Sequence, residues 1–341
     1  MIYRSKAPLR IGLAGGGTDV SPYSELFGGS ILNATISLYA TTNIEETNDT
    51  KVVFRAADRN EETTVDLDEE INFDGNLNLL KGVYKRIIQD YGNIHKGLII
   101  TTNVDAPAGS GLGTSSTLVV SLVGAFVEML NLPLGEYEIA KYAYAIERED
   151  LQLAGGKQDQ YAATFGGFNF MEFKKNNHVI VNPLRIKNEY IQELENNMVL
   201  FYTSTSRESA NIIKKQQSNV INKDGSSIDA MHLLKEQSIQ MKEALLQGNL
   251  DEIGHILDFG FEQKKKMADN ISNSLIEDIY NTAKKAGATG GKISGAGGGG
   301  FMIFYCPGTS RYNVIKELTK FDGSVKHFNF TKYGLSSWSI K

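Results

Sequence analysis

Between residues 6 and 13 apolar and polar positions alternate loosely, which reads as a strand, and this segment runs straight into Gly15-Gly16-Gly17. Further strands fit 31–44 and 51–56. The period then changes. Leu79, Leu80, Val83, Ile87 and Ile88 recur at helical spacing and predict a helix over 77–91. Residues 97–104 (GLIITTNV) are β-branched and strand-like. A loop over 105–113, with Pro107, Gly109, Gly111 and Gly113, leads into a long apolar helix over 114–130. A second helix fits 134–153 and another strand 166–173.

Polarity rises between residues 174 and 197, a stretch that includes Lys174-Lys175-Asn176-Asn177. A domain boundary near 185 follows, giving units 1–185 and 186–341. The second unit opens with a strand over 198–203. Helices fit 208–217, 228–246, 250–267 and 274–286. A glycine tract, a strand over 301–305, a helix over 310–321 and a final strand near 326–329 complete it. Strands and helices mix without strict alternation, which predicts an α+β fold. The length of 341 residues exceeds one typical core and supports two domains.

Charge narrows the function classes. The net charge is −5 and no basic block stands out, which argues against nucleic acid and anionic membrane surfaces as partners. The single cysteine, Cys306, cannot form an internal disulfide, and no Cys/His cluster has metal-ligand spacing. Arg4, Lys6 and Pro8 break the first nine residues, so they do not read as a signal peptide. The most apolar stretch, 118–130, contains Ser121 and Glu128 and is too short to span a bilayer. The expected location is the cytoplasm.

Three glycine-rich segments carry the candidate chemistry. The first, 107–117 (PAGSGLGTSST), lies between a predicted strand and a predicted helix. Glycine lets the backbone approach a ligand closely, and the free N–H groups and dipole at a helix start attract phosphate. Gly109, Ser110, Gly111, Leu112, Gly113, Thr114, Ser115 and Ser116 are therefore candidate phosphate-binding residues. A plain helix cap is the alternative. The loop has no lysine, as a Walker loop requires, and the wrong glycine spacing for a dinucleotide fingerprint. The second segment, 7–19 (APLRIGLAGGGTD), places Arg10 on a strand and Asp19 just past a glycine turn. A carboxylate there can accept hydrogen bonds from sugar hydroxyls, against the alternative of a turn aspartate. The third, 290–300 (GGKISGAGGGG), has seven glycines in eleven positions and precedes the strand FMIFY. Lys292-Ile293-Ser294 and that strand favour close backbone packing over a flexible linker.

Together Pro8-x-Arg10…Gly17-Thr18-Asp19, the run from Gly109 to Ser116, and the run from Ser294 to Gly299 resemble the three motifs of the GHMP kinases, named for galacto-, homoserine, mevalonate and phosphomevalonate kinases. The motifs occur in the family's order and span nearly the whole chain. The resemblance implies a two-domain fold, with a ribosomal protein S5 domain 2-like N-terminal domain and a ferredoxin-like C-terminal domain. It implies an enzyme that uses ATP and Mg²⁺ to phosphorylate a small-molecule hydroxyl. It also implies roles: Asp159 as catalytic base, Arg10 as the cation beside the phosphoryl group, and Ser115 and Glu147 as Mg²⁺ ligands. Gly17, Thr18 and Asp19 would meet the substrate, with Gly295, Ala296 and Gly297 closing over it.

Within the superfamily, the opening APLRIGLAGGGTDVSPY is similar to the heptose 7-phosphate kinases, which implies phosphorylation of an anomeric C1 hydroxyl to give a 1,7-bisphosphate. Galactokinases carry Gly-Glu-His in place of residues 15–17, and mevalonate-type members carry lysine where Arg10 stands. A substrate with its own phosphate needs a distant cationic pocket, for which Arg207, Lys157 and Lys292 are candidates. A fucokinase-like sugar 1-kinase and a non-catalytic nucleotide or sugar sensor are the alternatives. The expected partner is a small sugar phosphate, handled by a monomer or homodimer.

Overall fold

The computed structural model describes residues 1–92, 94–205 and 209–341. The first half holds β1 (Ile2–Ala14), α1 (Tyr23–Phe27), β2 (Gly29–Thr47), β3 (Lys51–Ala56), β4 (Glu61–Asp66), α2 (Asn78–Tyr91), β5 (Gly97–Val104), α3 (Thr114–Leu130) and α4 (Glu136–Ala145). A π-helical turn (Ile146–Asp150) then leads to α5 (Gln158–Phe165), β6 (Phe168–Phe173) and β7 (Val179–Pro183). The second half holds α6 (Asn188–Asn197), β8 (Met198–Tyr202), α7 (Ser209–Ile221), α8 (Gly225–Gln247), α9 (Asp251–Lys265) and α10 (Ser274–Ala286). It ends with β9 (Gly290–Ile293), β10 (Phe301–Tyr305), α11 (Ser310–Leu318), β11 (Ser324–Lys326) and β12 (Ser336–Ile340).

The strands form two sheets. The larger runs β12-β1-β2-β5-β3-β4, with β6 and β7 joined through β2. At 19 residues, β2 is long enough to pair along one edge with two partners, β5 over Ala40–Thr47 and β6 over Gly29–Ala34. The smaller sheet, β11-β8-β10-β9, is antiparallel throughout. The expected α+β architecture is present.

Strand β1 alternates only loosely because it is covered on both faces. Helix α3 packs against β1 and β2, and its Val119, Leu122, Val123 and Phe126 share a core with Ile44, Phe54, Val83 and Ile100. A second core joins Leu9, Ile11, Leu13 and Leu32 of the large sheet to Leu200 and Ile303 of the small sheet and to Met241 and Leu257 of α8 and α9. Burying each of these side chains is worth about 1.5–3 kcal/mol. This second core holds the three glycine segments at the seam between the sheets. Among the described residues no helix is long and apolar enough to cross a membrane.

Helices α1 and α5 and strand β9 are not expected from the sequence, and four further differences have a physical reason. The helix expected over 134–153 stops at Ala145, where the π-helical turn widens the coil and Leu151 N–H bonds to Ile146 O. The polar stretch 174–197 contains β7 and α6, whose apolar residues are few. Charged β4 lies at the sheet edge, so only alternate side chains are half-buried. Beyond β11, which ends at Lys326, the chain adds β12, whose register pairs Ile340 with Ile2.

The glycine tract is packed rather than flexible. A Cβ at Gly290 would lie 1.8 Å from the Gly254 carbonyl of α9, so the helix can approach β9 only over glycine. Gly225, at the start of α8, has nothing within 4 Å of its Cβ position. Gly290→Ala should therefore destabilise the fold by at least the 1–3 kcal/mol typical (about) of overpacking. Gly225→Ala should leave stability unchanged or raise it by a few tenths of a kcal/mol (roughly). Urea denaturation midpoints check this; equal midpoints would refute the packing account.

Candidate active site

The site is organised around Arg10. Register slips in the β1–β2 ladder occur on both sides of it, between Pro8 and Arg10 and between Gly12 and Ala14. Such irregularities re-aim side chains. The guanidinium, 5% exposed, donates from Nε to Asp159 Oδ1 and from an η-nitrogen to the Gly111 carbonyl, both at 2.6 Å. Ser294 Oγ donates to the same carbonyl at 2.8 Å. One oxygen thus joins all three glycine segments. The closeness requires glycine: a Cβ on Gly111, whose φ is 85°, would lie 2.6 Å from Ser294 O. At Gly113 a Cβ would meet the Asp159 carboxyl carbon at 3.2 Å.

Gly113, at φ 77°, turns the chain into α3, whose first residues are Thr114, Ser115 and Ser116. Ser115 Oγ donates to Glu147 Oε1 at 3.2 Å. Glu147 is 1% exposed and projects from the π-helical turn. Its other oxygen accepts from Gln160 Nε2 at 2.5 Å, and Gln160 also donates to Ser116 Oγ. The Arg148 guanidinium is 3.6 Å from Glu147 and donates to Leu153 O and Gly156 O, pinning the loop before α5. A solvent-accessible hydroxyl and a buried carboxylate this close suit a hard cation that takes its remaining oxygens from phosphate and water. Among the described residues no cluster of three or more His, Cys, Asp or Glu could hold a metal by itself.

Asp19 is 1% exposed. Its Oδ2 accepts from the backbone N–H groups of Lys157 and Gln158, at 2.8 and 3.0 Å, and so fixes the start of α5 one residue before Asp159. Burial pushes its carboxyl above the ordinary value, and the nearby Asp159 charge adds to this, while the amides oppose it. Asp19 Oδ1 and Gln158 Oε1 are buried acceptors with no donor among the described residues. Both residues line a cavity of about 310 Å³, together with Arg10, Gly109, Thr114 and Glu147. Lys264 and Lys292 line it too and are 4% and 6% exposed. Burial, followed by Arg10, pulls the Lys264 ammonium down to about 8, with Asp19 opposing. Burial, followed by Lys264 and Arg10, holds Lys292 well below the usual lysine range.

The structure sorts the sequence candidates. Arg10, Gly17, Asp19, Gly109, Gly111, Gly113, Thr114, Ser115, Ser116, Glu147, Asp159, Gly295 and Ala296 all line the cavity. Ser110 and Leu112 do not: both are fully buried, and their carbonyls accept from Phe301 N–H and Arg10 N–H. Thr18 is also fully buried, with its hydroxyl donating to Gly15 O and Ser30 O inside the turn. Gly297 packs on Ile271. Lys157 is paired with Glu25 at 2.5 Å, which neutralises it. Arg207 lies outside the described residues. The sequence reading missed Lys264, Gln160, Gln158 and Arg148. Only Lys264 left a signal: it continues the buried stripe Ile253, Leu257, Gly260, Phe261 along α9.

Comparison with known proteins gives the family. Residues 78–167 match the family model for the GHMP kinases N terminal domain, and 241–323 that for the GHMP kinases C terminal. The chain is 48% identical over 337 residues to a D-glycero-alpha-D-manno-heptose 7-phosphate kinase of Campylobacter jejuni, covering 99% of both chains. It is 46% identical to a D-glycero-D-manno-heptose 1-phosphate kinase from Bacteroides thetaiotaomicron of known crystal structure, with a TM-score of 0.84 and 99% of both chains covered. At 24% identity it shares the fold of the Methanococcus jannaschii mevalonate kinase, with a TM-score of 0.76 over 97% of this chain and 98% of that one. The chain belongs to the GHMP kinases.

The buried lysines have a stability consequence. The Lys264 value in the folded protein, about 8, is below its ordinary 10.5, so the unfolded chain binds more protons between these values. Stability therefore rises with pH through that window. Lys264→Met should remove that rise and be at least as stable as the parent near neutrality. Urea denaturation at pH 7 and above pH 8 tests this. A variant weakened by several kcal/mol at pH 7 would mean that the ammonium is satisfied within the protein.

Proposed function

We propose that this chain is an ATP-dependent sugar kinase that phosphorylates the anomeric C1 hydroxyl of D-glycero-D-manno-heptose 7-phosphate to give the 1,7-bisphosphate. The observation that carries the kinase chemistry is the Arg10 bridge, which holds a carboxylate and a helix-start glycine loop in one rigid unit. The sugar class is supported by the unpaired acceptors Asp19 Oδ1 and Gln158 Oε1, because a polyol brings several O–H donors. The heptose 7-phosphate choice follows the Campylobacter jejuni relative.

On this reading the amides at the start of α3 cradle the ATP phosphates. Ser115 and Glu147 would hold Mg²⁺, which would neutralise charge on the ATP phosphates. Asp159 keeps Oδ1 on Arg10, which leaves Oδ2 to accept the C1 hydroxyl proton. The sugar oxygen then bonds to the γ-phosphorus as the bond to the bridging oxygen breaks and ADP leaves. Arg10 stabilises charge on the transferred group and fixes the carboxylate's direction. The enzyme would work in the cytoplasm as a monomer or homodimer.

Phosphorus NMR of a reaction with ATP, Mg²⁺ and heptose 7-phosphate should show a new anomeric phosphate signal; its absence, with turnover of an unphosphorylated sugar instead, would reject the substrate. Asp159→Asn should lower kcat by about 10²–10⁴. Glu147→Gln should raise the Mg²⁺ concentration needed for half-maximal rate. Near-normal turnover in the first variant, or an unshifted Mg²⁺ titration in the second, would contradict the assigned roles.

A further inference from the structure

The cavity contains more positive charge than phosphoryl transfer accounts for. Arg10 is balanced by Asp159, and Glu147 faces Ser115 at the cation position. Lys264 and Lys292 remain. Lys264 donates to the Gly295 carbonyl. Among the described residues neither lysine has a carboxylate within ion-pair distance. Two buried ammonium groups in such a place are costly unless an anion joins them.

Their position indicates which anion. A Cβ built on Gly16 would stand 3.8 Å from Lys292 Nζ and 4.0 Å from Lys264 Nζ. Gly16 lies in the turn between β1 and Asp19 and lines the cavity. Its missing side chain leaves space directly beside both ammonium groups. Lys264 is close enough to Asp19 to feel its charge. The pair therefore lies between the turn at Gly16 and the Arg10 guanidinium, whose charge both lysines also feel. The transferred phosphoryl group has its own partners in Arg10, the loop amides and the cation held by Ser115 and Glu147.

We propose that Lys264 and Lys292, over Gly16, form the seat for a phosphate monoester carried by the sugar itself, at the end remote from the hydroxyl that meets Asp159. This rests on the sugar-phosphate reading above and assigns the residues that would enforce it. Charge-assisted contacts from two lysines suit a dianion, and the bare backbone at Gly16 lets it come close.

Two different variants test the seat. Lys292→Met removes a cation. Gly16→Asp fills the space with a carboxylate; the Cβ meets only ordinary contacts, and Gly16 is absent from the positive-φ glycines. The readout is kcat/KM for heptose 7-phosphate divided by kcat/KM for the unphosphorylated heptose, measured on the full chain. Each variant should lower this ratio by about tenfold to a hundredfold, mainly through KM for the sugar phosphate. Each should also reduce the rise in melting temperature that inorganic phosphate gives the parent. An unchanged ratio, with kcat lowered equally for both sugars, would overturn the proposal and assign the lysines to the transferred group. Undiminished stabilisation by phosphate in both variants would also overturn it. If the parent turns over neither sugar but phosphate stabilises it more than the variants, the seat stands and the heptose reading fails.

Discussion

The Arg10 guanidinium is planar and presents its donors in a rigid fork, so two groups bonded to it are held in a fixed mutual direction. Here those groups are the Asp159 carboxylate and the Gly111 carbonyl, which lie far apart in the chain and on different elements. Neither can shift without breaking a bond to a cation that is almost fully buried. The Gly111 carbonyl also receives Ser294, so the smaller sheet is tied to the same point. Much of the local composition follows from this convergence. Gly111 and Gly113 are glycine because Ser294 and Asp159 come too close for a side chain. Gly156 is glycine because a Cβ there would lie 1.9 Å from Asp19 Oδ2.

What could be read from the sequence depended on how local its cause was. Helices α2, α3 and α10 and strands β5 and β10 carry their period in their own residues, and their limits agree with the expected ones to within a residue. Strand β12 does not. SSWSI has little apolar pattern, and it is a strand because the edge of β1 needs a partner. Glu147 falls within a helical pattern, but nothing local marks the extra residue of the π-helical turn that aims it at Ser115. Of the glycine motifs, composition alone could not separate lining residues from packing ones. Ser110, Leu112 and Thr18 sit among true cavity residues, yet the carbonyls of Ser110 and Leu112 and the hydroxyl of Thr18 are spent on the fold. Lys264 is the opposite case. It stands in a run of three lysines that looks solvated, but it occupies the apolar stripe of α9.

The cavity is polar in an unbalanced way. Among the described residues it keeps acceptors without donors, Asp19 Oδ1 and Gln158 Oε1, near cations without carboxylate partners, Lys264 and Lys292. A protein optimised for stability alone would pair or remove such groups. On the proposed function, leaving them unpaired preorganises the surface for a ligand rich in hydroxyls and negative charge. The aliphatic part of each lysine is covered by the protein, which fixes where the ammonium can reach.

The pairing of Ile2 with Ile340 also bears on how the molecule is made. During synthesis the strand bearing Arg10 emerges well before β12, and its outer edge stays open until β12 has left the ribosome. The core that joins the sheets likewise needs residues from both halves. Native contacts of such long sequence separation slow folding and leave an unpaired edge exposed to other chains in the meantime. The same pairing that closes the edge of the Arg10 strand in the finished protein is absent from its nascent form.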